Sequence, residues 1–318
     1  MTDTRVVCAS HSPLMYCAAS EPSSEAEICE AFAARAAEVA AFKPDVIFAF
    51  GPDHYTSMFH SMAPVFCIGT RCEAIGDIGG FAGRLDVPTE LATECIASVY
   101  AAGVDVAVSH DLKIDHGISQ TLHRVAGRVD AYPTIPILIN ILTHPLPPFR
   151  RSRKLGEAIG AFVKAKGLRA LFIGSGGLSH NPKPIFPPLG EGGPLVDDHI
   201  RSGPGGDAAR HEKWLQRQHD IHISAAEMLA DGRLTGVDCM FNPEADNEEL
   251  DIIVRGDLSA FDNWDPDELI TRAGIGSVEL SAWIAACAAQ SAAGGRPPRL
   301  DLYHPVVEYG VAVGMVHA

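Results

Sequence analysis

The chain has 318 residues, 47% of them hydrophobic and 20% charged, which supplies a buried core and excludes a disordered chain. Its 25 basic residues stand against 40 acidic ones, a formal net charge of −15 that repels nucleic acid and anionic membranes. The eight cysteines are scattered without a C-x-x-C pair, so free thiols in a reducing cytosol are expected rather than a secreted disulfide framework. The start, Met1-Thr2-Asp3-Thr4-Arg5, lacks the layout of a signal peptide, and no apolar run approaches the roughly 20 residues that span a bilayer. A cytoplasmic globular protein with neither a nucleic-acid nor a membrane partner is the expectation.

Taken in chain order, Arg5 to Ala9 reads as a buried strand, and Ala26 to Phe42 as a helix stopped by Lys43-Pro44. Asp45 to Phe50 is a second strand. A helix over Pro88 to Ala102 carries proline near its start and Gly103 after its end. Strands over Val104 to Ser109 and Ile135 to Ile141 follow, then a helix over Ser152 to Ala165 and a strand over Arg169 to Ile173. The stretch 181–207 is crowded with proline and glycine and reads as a long loop forming a lid or wall over a site. From about 211 to 293 the chain reads as mainly helical, most clearly over Trp214 to Leu229 and Val278 to Ala293. This alternation predicts an α/β fold: one large layered domain over 1–318, with a central mixed β-sheet flanked by helices.

Four of the 14 histidines share a setting. His11, His54, His116 and His180 each follow a predicted strand and are flanked by Gly, Pro, Ser or Asp. Loops at the carboxyl ends of strands converge in α/β sheets, so four imidazoles on one rim point to a metal or acid–base site. Singly, each has the plainer reading of a surface or hydrogen-bonded residue; the repeated placement is what argues for function. The other ten, including His219 and His222 at helical spacing, read as structural or solvated. The run Gly174-Ser175-Gly176-Gly177 lacks a Walker lysine and instead fits a backbone that must approach a ligand or a neighbouring strand closely.

A divalent metal also calls for a carboxylate. One candidate is the acidic cluster around Glu244, whose plainer reading is a solvated helix start. The other is Glu279, alone at the head of an apolar helix, where an ordinary first-turn glutamate is the plainer reading.

Taken together, Ser10-His11-Ser12-Pro13-Leu14, Pro52-Asp53-His54-Tyr55, Ala74-Ile75-Gly76-Asp77, Asp115-His116-Gly117, Gly174 to His180, and Asn242-Pro243 with Asp246-Asn247 make the chain resemble the class III extradiol ring-cleaving dioxygenases. This superfamily contains the catalytic chain of protocatechuate 4,5-dioxygenase. The resemblance spans nearly the whole chain and is weakest in the loop after His180 and beyond about Gly294.

The resemblance implies Fe(II) held by His11, His54 and Glu279, with His116 and His180 as acid–base groups and Asp115 beside His116. Two neutral histidines and one carboxylate leave positions open, as in non-haem Fe(II) oxygenases. It also implies a catechol and O2 as small-molecule partners, the catechol being 3-(2,3-dihydroxyphenyl)propionate or its cinnamate analogue, opened beside the diol. His116, polarised by Asp115, is expected to act as base and His180 as acid; a turn or capping role is the alternative for Asp115. Arg150, Arg151, Arg153 and Arg201 are candidates for the substrate carboxylate, with surface solvation as the plainer reading. Homo-oligomerisation is implied as well, and Val306 to Val316 reads either as its interface or as a final buried strand. Two rivals stand beside this reading: a zinc hydrolase on the same histidine rim, and a non-catalytic binding subunit.

Overall fold

In a computed structural model that describes residues 3–182 and 185–318, strands and helices alternate for the first half of the chain and helices dominate the second. Met1 and Thr2 of the chain start, and Lys183 and Pro184 of the proline-rich stretch, lie outside the described residues. The order is β1 (Thr4–Ala9), α1 (Glu25–Phe42), β2 (Val46–Pro52), β3 (Phe66–Gly69), β4 (Cys72–Ile75), β5 (Ala82–Arg84), α2 (Thr89–Ala101), β6 (Ala107–Ser109), β7 (Leu112–Ile114), α3 (His116–Ala126) and β8 (Thr134–Ile139). It continues with α4 (Phe149–Lys166), β9 (Ala170–Ser175), α5 (Gly193–Ser202), α6 (Ala208–Ala230), α7 (Pro243–Arg255), α8 (Pro266–Ala273), α9 (Leu280–Ala293), β10 (Arg299–Val306) and β11 (Val311–His317).

Eight strands form one mixed sheet in the order β10-β11-β1-β9-β2-β8-β3-β6, and β5-β4-β7 form a small second sheet. In the centre, β1, β9, β2 and β8 run parallel, so their carboxyl ends reach the same edge. Strands β2 and β9 are buried at every position, as expected of parallel strands covered on both faces. Successive side chains divide between two cores: Val6, Cys8, Phe48 and Phe50 on one face, Val7, Ala9, Ile47 and Ala49 on the other. Helix α9 lies on the first face with α4 packed over it, and α3 lies on the second with α1 outside it. Sandwiched in this way, α9 is buried around nearly its whole circumference, which explains its unbroken apolar sequence. Gly156 and Gly160 let α4 sit directly on it: a Cβ at either position would fall 2.1–2.2 Å from the carbonyl oxygens of Ala285 and Ala289.

Two expectations change, and one of two readings of the C-terminal segment is met. The strand expected from Val104 begins only at Ala107, because this segment pairs with β3 alone, over three residues; Val104 and Val106 are buried without joining a ladder. The stretch 181–207 is not structureless: α5 forms within it and buries Val196 and Ile200. Pro194 occupies the first turn of that helix, where its missing N–H costs nothing, and Gly203 closes it. The C-terminal apolar segment is a buried strand: β11 is inserted between β10 and β1. Among the described residues, no helix is long and apolar enough to cross a membrane.

Candidate active site

His11, His54 and His180 leave the carboxyl ends of β1, β2 and β9, three neighbours in the parallel part of the large sheet. His116 arrives differently. It opens α3 directly after β7, a strand of the small sheet, rather than following the strand expected at 104–109. Glu279 ends a 3-10 turn over Ile275–Glu279 and enters from the α9 face, 1% exposed. All five line one cavity of about 310 Å³.

The same geometric device governs all four rings. His11 Nδ1 lies 3.1 Å from Ser175 Oγ, which itself donates to Thr121 Oγ1. His54 Nδ1 lies 3.1 Å from Asp115 Oδ1, His116 Nδ1 2.5 Å from Asp77 Oδ2, and His180 Nδ1 2.9 Å from the Leu178 carbonyl oxygen. Each Nδ1–H therefore donates to an oxygen, which leaves the four Nε2 atoms for the cavity. The Nε2 atoms of His54, His11 and His180 stand 3.4, 3.6 and 3.8 Å from the carboxylate oxygens of Glu279. Gly177 N–H donates to Glu279 Oε2 at 2.6 Å and sets that carboxylate. His54 and His116 stack at 4.4 Å, and ring nitrogens of His11, His54 and His116 come within 4.8 Å of one another.

The electrostatics follow from burial of several imidazoles beside a few carboxylates. Burial pushes the His11 imidazole down to about 3 despite the neighbouring Glu279, so it stands neutral. Burial also opposes charge on His54, but Asp115 and Glu279 outweigh it and raise that ring. Burial disfavours the Glu279 anion too, yet His11 and the other rings bring its carboxyl down to about 2. Two imidazole nitrogens and one ionised carboxylate, each oriented by an outer partner, are a donor set that fits a divalent cation, which would replace the proton they otherwise share.

The expected partnership of Asp115 with His116 is not the one found. Asp115 Oδ1 faces His54 and caps α3 by accepting from Gly117 N–H at 2.8 Å, while Oδ2 accepts from the His54 N–H at 2.8 Å and Thr56 Oγ1 at 2.9 Å. The capping alternative thus holds, and the ring that Asp115 orients is His54. A helix cap points back across its own turn, whereas His116, at the first helical position, projects toward the small sheet and meets Asp77. Sequence reading singled out the motif containing Asp77 without assigning it a role.

Backbone geometry completes the cluster. Tyr55, directly after His54, has φ +59°, a conformation a tyrosine rarely adopts and one that turns the chain at the site. Gly276 lies against the His180 ring, where a Cβ would fall 2.0 Å from Cε1, and at Gly176 a Cβ would fall 2.7 Å from Glu279 Cβ. The close approaches of Gly176 and Gly177 in the glycine run are thus to site side chains, Glu279 and the His180 ring.

The rival carboxylate, Glu244, is exposed in the first turn of α7. Its neighbour Asp246 is buried and accepts from Ser179 N–H, Ser179 Oγ and Tyr303 OH at 2.6–2.7 Å, bracing the turn before His180. Arg153 is bound to Asp262 and Glu157, Arg201 to Asp198, and neither these nor Arg150 and Arg151 line the cavity. Two wall residues escaped the sequence reading: Phe186, stacked 5.5 Å from His54, and His222 of α6. Only helical spacing marked His222 beforehand, and spacing does not say which face meets a cavity.

Residues 5–312 match the family described as the catalytic LigB subunit of aromatic ring-opening dioxygenase. A Pseudomonas putida protein named 2,3-dihydroxyphenylpropionate/2,3-dihydroxicinnamic acid 1,2-dioxygenase 1 is 40% identical over 314 residues, covering 98% of this chain and 97% of the relative. Its namesakes in Escherichia coli strains SMS-3-5 / SECEC and K12 are 38% identical over 316 residues, at 98% and 97% coverage. With the fold, the buried histidine–carboxylate cluster and this likeness over the full length, the chain belongs to the LigB family, and it is an extradiol ring-opening dioxygenase of class III.

Proposed function

We propose that the protein is a non-haem Fe(II) enzyme that opens 3-(2,3-dihydroxyphenyl)propionate, or 2,3-dihydroxycinnamate, with O2 to a 2-hydroxy-6-oxo-dienedioate. The observation that carries this reading is the set of Nε2 atoms freed around one buried carboxylate. The substrate rests on the printed names of the relatives. His11, His54 and Glu279 would hold the metal. When bound, Fe(II) supplies the one-electron chemistry that lets a spin-paired catechol react with O2.

The chain's own residues do the rest. His116 takes a catechol proton on Nε2, since its Nδ1–H is committed to Asp77, whose carboxylate stabilises the imidazolium formed. His180 serves as the acid: its Nδ1–H is tied to Leu178, so proton delivery during ring expansion falls to Nε2. Asp115 orients His54, and Asp246 braces the turn that presents His180. Leu14, Ile185, Phe186 and Leu229 give the cavity apolar walls that exclude water around these transfers. A cytoplasmic homo-oligomer completes the reading, supported by eight unpaired cysteines and by the family resemblance.

The test is anaerobic loading with Fe(II), then exposure to the catechol and air. O2 uptake and a yellow ring-opened product are expected. Loading with Zn(II) should give neither, and turnover with Zn(II) would refute the iron assignment.

A further inference from the structure

The cavity that holds the histidine cluster is also lined by Leu14, by Ile221, His222, Ala225 and Leu229 of α6, and by Cys239. Outside the histidine–glutamate cluster its polar lining residues are Ser12, Asn181, Asp238, Tyr309 and His222, of which His222 is the one imidazole, 2% exposed, on α6. Its Nδ1 lies 2.6 Å from the Gln218 carbonyl oxygen one turn back on the same helix. That bond places the proton on Nδ1 and turns the opposite edge of the ring, with Nε2, away from the helix toward the cavity it lines. Nε2 has no protein partner among the described residues. A nitrogen that lines a cavity and meets no protein group is open to a ligand group, which gains a hydrogen bond there.

The remaining charged groups nearby are already engaged. Arg217, on the same helix, donates to the Ile185 carbonyl and to Gln218 Oε1 at 3.0 and 2.8 Å. Asp238, which also lines the cavity, accepts from Thr235 N–H and Oγ1 at 2.8 and 2.9 Å. Among the described residues that line the cavity there is no lysine or arginine. The titratable groups whose fields reach His222 are His116, His54 and Arg217, all of which disfavour a second positive charge. A carboxylate brought to Nε2 reverses that balance.

We propose that His222 is the specificity-determining residue that receives the carboxyl end of the substrate side chain, imidazole and carboxylate sharing one proton between Nε2 and a carboxylate oxygen. The proton comes from solvent on binding, so the buried pair is one carboxylate and one imidazolium, neutral overall. The inference rests on the catechol reading for the identity of the ring, but not for the carboxylate contact itself.

Two measurements test it. The first is calorimetric titration with 3-phenylpropionate, which lacks the diol and needs no metal. The second is the ratio of kcat/KM for 3-(2,3-dihydroxyphenyl)propionate over 3-ethylcatechol in the iron-loaded enzyme. H222F should weaken 3-phenylpropionate about tenfold or more and lower the ratio by roughly 10–100-fold, the loss expected when a bound charged group loses its partner. H222Q, whose amide can donate, should recover part of both and also serves if H222F fails to fold. An unchanged ratio in a folded variant, or equal losses for both catechols, overturns the inference. If the wild-type enzyme opens neither catechol, the catechol reading fails and the titration alone decides the role of His222.

Discussion

Replacing Asp77 by asparagine keeps the shape of the side chain and removes the charge that faces His116 Nδ1 at 2.5 Å. The amide has two ways to meet the ring. If its oxygen accepts Nδ1–H, a charge-assisted bond becomes a neutral one of about half the strength, costing the imidazolium about 1–2 kcal/mol and turnover about 10-fold or somewhat more. If its nitrogen donates to Nδ1, the ring proton moves to Nε2, and the base has no lone pair to offer; losses of about 10²–10⁴ follow, as for removal of a positioned base. We expect kcat to fall about 10²–10³-fold in D77N, measured as O2 uptake at saturating catechol. Iron per subunit should stay near normal, because Asp77 touches neither His11, His54 nor Glu279. H116A should fall at least as far, and the D77N/H116A double variant no further than H116A alone, since the two act as one unit. Full turnover in D77N, or additive losses in the double variant, would refute the dyad. Parallel loss of iron and turnover would place His116 in the metal shell instead.

Further expectations concern the metal, the ring and acid stability. H11A, H54A and E279A should each abolish iron binding in folded protein, and D115N should weaken it by about 10–100-fold through His54, while E244A retains it; metal analysis of dialysed samples decides, and iron loss confined to E244A would reverse the choice of carboxylate. H180A should retain iron and lose about 10²–10⁴ in turnover. The product should be a yellow 2-hydroxy-6-oxo-dienedioate formed with one O2 and no NADH, and a colourless muconate-type acid would mean cleavage between the hydroxyls. His199 is buried against Trp214 with its Nε2–H on the Tyr55 carbonyl, and burial lowers it to about 4. The unfolded ring takes up its proton near pH 6.5, so stability is lost as pH falls from there toward 4 and the loss is complete below it. Between pH 7 and 5 this amounts to roughly 1–2 kcal/mol. Urea unfolding of H199F should show that much less acid loss than the wild type, and equal slopes would refute the assignment.

How much of this was legible beforehand follows from what a linear sequence encodes. Runs such as Val46 to Phe50 and Ala170 to Ile173 are apolar at every position because they are covered on both faces, and that pattern needs no tertiary knowledge to read. Strand-end histidines flanked by Gly, Pro and Ser were legible for the same reason: the loops at one sheet edge must be short, polar and able to turn. The small sheet was not legible, since β4, β5 and β7 have three or four residues each and hold together by pairing rather than by periodicity. Nor was α5, whose prolines and glycines sit where a helix tolerates them, at its first turn and beyond its end. The hydrogen-bond partners were the least accessible. Adjacency in sequence pointed Asp115 at His116, but a capping aspartate turns back over its own helix and reaches His54, leaving His116 to a carboxylate 39 residues earlier. In the same way, α6 carries His219 and His222 three residues apart, and only the packing of that helix decides that the first meets solvent and the second the cavity. Residue types and their strand-end placement set the chemistry available to this chain; which nitrogen carries the proton, and which carboxylate faces which ring, is decided by elements that meet only when the two sheets and α6 pack together.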